Sequence, residues 1–151
     1  MLVLQIAVVV LAGVLAGTEF IVRLGVQPAL SRLDARTSLA ARKSLITRLR
    51  VLVPALGMPT LVLAIVSAVL GQQTDGAWLR WSGAVFLVLF FAIAFAGTVP
   101  INARIDGWSL DDPPADAEAV IRRWQLIDVF RSSAALVAFV LLVVALARTT
   151  T

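Results

Sequence analysis

The chain contains no cysteine, no histidine and no tyrosine. Without cysteine there is no disulfide, no thiolate nucleophile, no iron–sulfur cluster and no cysteine-ligated zinc. Without histidine the commonest ligand for haem, copper and zinc is missing, together with the usual base near neutral pH. Charge is also scarce: Asp, Glu, Lys and Arg make up 15% of the 151 residues, where a soluble domain has about 25%. Any chemistry falls to the few acids and bases, to Asn, Ser, Thr and Trp, or to the backbone. No aromatic-interleaved basic face, RNP pattern or zinc-finger spacing is present, so a nucleic-acid partner is not expected.

What is abundant is apolar surface. Hydrophobic residues make up 60% of the chain and the mean hydropathy is +0.97, and the excess is gathered into long runs. Uncharged runs near 20 residues mark helices that cross a bilayer. Four are expected, at about 2–26, 51–70, 81–101 and 127–147, in a single all-α membrane domain folded as a four-helix bundle. The first run lacks the basic leader and short apolar stretch of a signal peptide and reads as a retained helix.

The connections set the orientation. Residues 27–50 carry six basic side chains and residues 102–126 carry three, whereas the short loop 71–80 and the C-terminal tail carry one each, Arg80 and Arg148. Counting Lys and Arg places the two longer connections in the cytoplasm and both termini outside. The net charge of +4 is read as this topology. A multi-pass protein of the inner (plasma) membrane is expected. Residues 31–50 are expected either to lie helical on the membrane surface, where they could recruit anionic lipid, or to extend the second span inward. In 109–124, "SLDDPPADAEAVIRRW", Asp112 and the two prolines suit a helix start near Pro114, so the fourth helix is expected to project into the cytoplasm before it enters the bilayer. Asp106, Asp111 and Asp112 could attract a hard cation, but capping and solvation explain them more simply, and no metal is expected.

Polar residues inside the spans are candidates for function. Glu19 and Arg23 lie near the inner end of the first span, four apart and able to pair on one face. Trp124, Asp128 and Arg131 share a stripe on the fourth, which Ala135 and Ala138 continue. The third span ends on "GTVPINARI", 97–105. Pro100 there removes a helical N–H and crowds the carbonyl of Ala96, and Thr98 and Asn102 are at hand to satisfy freed backbone groups or contact a ligand. Three helices thus bring polar groups to one depth on one side. Two readings follow: a lattice of ion pairs tying helix ends together, or a polar pocket open to the cytoplasmic side. Gly13 and Gly17 form a GxxxG for close packing, within the bundle or between copies in a homo-oligomer. Pro54 and Pro59, with Gly57 between them, are expected to bend the second span. Trp78, Trp81, Trp108 and Trp124 read as interfacial belt anchors.

Certain of these residues also carry a resemblance. A small-residue first span with Gly13 and Gly17, Val26-Gln27-Pro28-Ala29-Leu30, Pro59-Thr60, Val99-Pro100-Ile101-Asn102, and Trp124 seven residues before Arg131 together resemble the anthrone-oxygenase-like family of small four-helix membrane proteins. The resemblance covers nearly the whole chain. It implies oxygenation of anthrones to anthraquinones, with no metal or flavin required: a base removes an activated C–H proton, and the electron-rich enolate reacts directly with dioxygen. The catalytic candidates it implies are Asp128, Arg131, Asn102 and Glu19, with Arg131 and Asn102 on the oxyanion and Asp128 or Glu19 as base. Trp124, which stacks on the flat substrate, Arg23, Thr98 and Pro100 are the substrate-binding candidates. The family commonly has His where this chain has Asp128. The expected ligand is a hydrophobic small molecule or lipid. Two other functions fit the same residues: an accessory or scaffold subunit of a membrane complex, and a small multidrug-type transporter using Glu19.

Overall fold

The computed structural model describes residues 1–150 and, of Thr150, only the backbone. Four helices are long and apolar enough to cross a membrane: α1 (Leu2–Leu30), α2 (Ala35–Leu70), α3 (Ala77–Asp106) and α4 (Ala117–Thr150). They form an up-and-down bundle in which α1 packs on α2 and α4, and α3 packs on α2 and α4. Leu15, Ala64, Leu87, Phe90 and Ala138 are fully buried at its centre. Val3, Val51, Val85, Phe130 and Val140 are exposed around its outside. An apolar exterior over an equally apolar interior is the pattern of helices solvated by lipid. The chain is a multi-pass membrane protein.

Small residues set the spacing of the helices. A Cβ on Gly83 would stand 2.8 Å from Leu142, and one on Gly57 would stand 2.7 Å from the Phe91 ring. A Cβ on Gly13 would meet Phe139 of α4 at 3.0 Å, whereas Gly17 has nothing within 4 Å of that position. Half of the GxxxG is therefore used inside the bundle, and Gly17 is exposed.

α2 is one helix of 36 residues, roughly 54 Å at 1.5 Å per residue. It overshoots the ~30 Å hydrocarbon layer. Residues 35–50 therefore extend the second span beyond that layer. Pro54 and Pro59 lie inside this helix without ending it. Asp34 caps it, its Oδ1 accepting the Thr37 N–H at 3.0 Å. Where α2, α3 and α4 overshoot, Leu39, Ile46, Ile105, Trp108 and Val120 form a second small core. α4 starts at Ala117, and Asp116 before it pairs with Arg104 at 2.7 Å. Asp111 pairs with Arg36.

Two widened π turns interrupt the helices, Val22–Val26 in α1 and Ala94–Thr98 in α3. Each ends two residues before a proline, Pro28 or Pro100. A helical proline crowds the carbonyl four residues back, and a turn with one extra residue moves that carbonyl aside. The two regions read GVQPALSRLD (25–34) and GTVPINARID (97–106), with Gly, Pro, Arg and Asp at matching positions. α1 and α3 thus share one local design at the same end of the bundle.

Three polar features differ from the sequence reading. Arg80 belongs to the buried interior and is 1% exposed. Its Nη2 donates to the carbonyl of Gly71 at 2.7 Å and to the Thr74 hydroxyl, so it ties together the turn that follows α2. Trp108 and Trp124 are buried and are not belt anchors, whereas Trp78 and Trp81 are exposed. Glu19 and Arg23 do not pair with each other, because the wide turn beginning at Val22 rotates Arg23 away. Arg23 instead donates to the Ser133 hydroxyl of α4 at 3.1 Å.

Candidate functional site

Arg131 of α4 is 5% exposed and lies at the centre of the site. Its Nη2 is 2.7 Å from Asp128 Oδ1, one turn earlier, and 2.8 Å from Glu19 Oε2 of α1. The Asp128 contact is an aligned hydrogen bond, whereas the Glu19 contact is an ion pair off the N–H axis. On α3 the Phe90 ring lies 5.5 Å from the guanidinium carbon, a cation–π contact. Two carboxylates and a ring face thus fix one cation among three helices. A buried charge is tolerated when it is paired in this way.

The far side of Arg131 opens into a cavity of about 280 Å³ between α2, α3 and α4. Leu45, Leu49, Val53, Phe91 and Phe95 form its apolar walls, and Phe91 and Phe95 are stacked at 6.0 Å. The expected pocket among α1, α3 and α4 is displaced to this neighbouring gap. Gly57 allows α2 to close against Phe91. Phe95 is 62% exposed, so the cavity opens sideways between α2 and α3, towards lipid. Arg50 and Asp106 line it as well, and both are exposed.

Polar groups enter this apolar slot at three points besides the mouth. Trp124 Nε1 donates to Asn102 Oδ1 at 2.8 Å, which leaves the Asn102 amide N–H groups to donate elsewhere. Thr98 Oγ1 is buried and has no protein partner. Arg131 Nε is buried and lacks one too. Thr98, Asn102 and Arg131 thus bring polar side chains to the wall of one apolar cavity, and hydrogen-bond donors in such a setting suit an oxygen that carries negative charge.

The structure divides the candidate residues into two sets. Arg131, Asn102, Thr98 and Trp124 line the cavity. Glu19 contacts Arg131 without lining the cavity, and Asp128 lines a separate groove of about 360 Å³ between α1 and α4, with Arg23 and Gln27. Pro100 is exposed on the outside of α3. The sequence reading missed the α2 wall, because Leu45, Leu49 and Val53 look like any span residues. Pro54 and Gly57 were the signal that α2 bends or thins there.

All cavity residues fall between Leu45 and Arg131. The family model described as anthrone oxygenase matches residues 43–141. The chain belongs to the anthrone oxygenase family. The matched region contains the whole cavity wall and leaves all of α1, with Glu19 and Arg23, outside it. No curated protein and no solved structure matches the chain.

Proposed function

We propose that this member of the anthrone oxygenase family oxygenates a flat, hydrophobic, anthrone-type aromatic drawn from the bilayer. The observation that carries this reading is an apolar slot, open towards lipid, with the polar residues Arg131, Asn102 and Thr98 in its wall. Basic residues concentrated in both long connections support a cytoplasmic position for that end of the bundle, with both termini outside.

The chemistry follows from the substrate class. An anthrone has a CH₂ group opposite its ring carbonyl. When one C–H proton leaves, the electron pair delocalises onto the carbonyl oxygen. Donors held at that oxygen stabilise the enolate without having to reorganise. The enolate carbon reduces dioxygen and a C–O bond forms, giving a hydroperoxide once protonated. Loss of the second C–H proton with cleavage of the O–O bond releases water and leaves a carbonyl. The net change is CH₂ plus O₂ to C=O plus H₂O, with the substrate as reductant. Asp106, the carboxylate among the lining residues, is placed to pass the first proton to water. Glu19 and Asp128 hold Arg131 in place and do not touch substrate. Trp124 orients Asn102.

The test is turnover of an anthrone by the protein in membranes. Arg131→Ala and Asn102→Ala should each lower kcat by about 10²–10³, as loss of an oxyanion donor does elsewhere. Wild-type turnover in both variants would contradict the assignment.

A further inference from the structure

Arg42 of α2 is as buried as Arg131, at 5% exposure for each, yet it is held quite differently. Arg131 has two carboxylates. Arg80, buried at the other end, donates from Nη2 to three oxygens of its loop. Arg42 has one neutral partner, the Gln27 Oε1 that accepts from its Nη1 at 2.7 Å. Arg42 Nε and Gln27 Nε2 are buried and have no protein partner. Among the described residues, no acid forms an ion pair with Arg42. Removing a guanidinium from water without an opposing charge is among the least favourable arrangements in a folded protein. The missing counter-charge is best supplied from outside the chain.

There is room for it. Arg42 lines an open groove of about 590 Å³ between the start of α2, the 107–116 connection and the start of α4. Ser31, Ser38, Gln125 and Arg122 line the same groove. Its one acid, Glu118, is already paired with Arg122 at 3.3 Å. Leu39, Ile121 and Trp108 give it an apolar side. Arg32 and Arg36 lie on the adjoining surface, at the end of the bundle that carries most of the basic residues. We propose that this groove is a phosphate-binding site in which Arg42 is the buried counter-charge and Ser38 and Gln125 add hydrogen bonds. A phosphate suits the fork of an arginine. An anionic lipid headgroup and a soluble phosphate share this chemistry. The proposal does not depend on the reaction assigned to the α2–α3–α4 cavity.

The experiment uses the full chain purified in a zwitterionic detergent. Thermal unfolding is followed while either phosphatidylglycerol in mixed micelles or inorganic phosphate at fixed ionic strength is titrated. Phosphatidylglycerol in phosphatidylcholine nanodiscs, read by native mass measurement, gives retention directly. Stabilisation by phosphatidylglycerol alone identifies a lipid headgroup, by inorganic phosphate alone a soluble phosphate, and by both the shared chemistry. Arg42→Gln should weaken that binding about tenfold or more, the effect of losing a charge-assisted hydrogen bond. Ser38→Glu covers the case in which Arg42→Gln fails to fold. It places a carboxylate one turn from Arg42, and it should raise Tm without added anion and abolish the response to either probe. No response of the wild type to either probe overturns the proposal, as does an unchanged response in Ser38→Glu.

Discussion

Arg131 Nη2 stands 2.8 Å from Glu19 Oε2, joining the last helix of the bundle to the first. The same nitrogen reaches Asp128 at 2.7 Å. The guanidinium is therefore held from behind by two acids while it lines the cavity in front. This arrangement suits Glu19 to holding Arg131 in place, the part proposed for it above, and the part of base is the alternative.

Replacing Glu19 separates the two parts. Glu19→Ala removes one acid from a buried cluster and should lower stability in detergent by about 3–5 kcal/mol, the usual cost of breaking a buried ion pair. Glu19→Gln should lose less. In Glu19→Gln, KM for an anthrone should stay near the wild-type value and some kcat should remain. A stable Glu19→Gln protein with no turnover would instead make Glu19 the base.

Arg131→Lys keeps the charge but loses the planar fork and the fit over Phe90. An ammonium cannot pair with Glu19 and Asp128 and still present a second nitrogen to the cavity. A fall in kcat of about 10²–10³ is expected, with little change in Tm relative to Arg131→Ala. Steady-state kinetics and thermal unfolding in detergent check both.

Gly57→Ala places a methyl group 2.7 Å from the Phe91 ring. The ring must move, and the direction open to it is into the cavity it lines. Overpacking of this kind costs about 1–3 kcal/mol. KM for a tricyclic substrate should rise more than KM for a smaller phenol, which comparison of the two substrates would reveal.

Asp34 gives a pH signature outside the spans. Its carboxyl is held below its ordinary value, chiefly by the Thr37 side-chain hydroxyl, then by the Thr37 backbone N–H, with smaller contributions from the Asp34 and Arg36 backbone. A lowered folded-state pKa means that the stabilisation is present above the unfolded value, about 3.9. It is lost as pH falls through the lower folded value. Asp34→Ala should therefore lower Tm at pH 7, and the difference from wild type should shrink below about pH 4. A difference in Tm that stays constant down to pH 2 would contradict the cap.

The four helices were readable because lipid-facing and buried residues are both apolar, so each span stands out as an unbroken run. The convergence of Glu19, Asp128 and Arg131 was readable too, since each lies near the same end of its span. What the pattern hid was rotation and burial. A π turn beginning at Val22 turns Arg23 towards Ser133 and away from Glu19, and helical spacing rules assume no such turn. Arg42 and Arg80 lie near span ends, where arginines are ordinarily solvated, and nothing in their neighbours' identities marks them as buried. The α2 wall of the cavity was hidden because, Arg50 apart, α2 contributes only apolar side chains to it, and polar residues were the guide. The recurrence of Gly-x-x-Pro-x-x-x-Arg-(Leu/Ile)-Asp at 25–34 and 97–106 was the available sign that α1 and α3 share the wide turn.

The most direct test of the account is oxygen uptake against quinone formation by the protein reconstituted in vesicles, given an anthrone and compared with empty vesicles and with Arg131→Ala. The account predicts one dioxygen consumed per quinone formed, at a rate well above both controls. A wild-type rate equal to that of the empty vesicles, or one unchanged in Arg131→Ala, would contradict it.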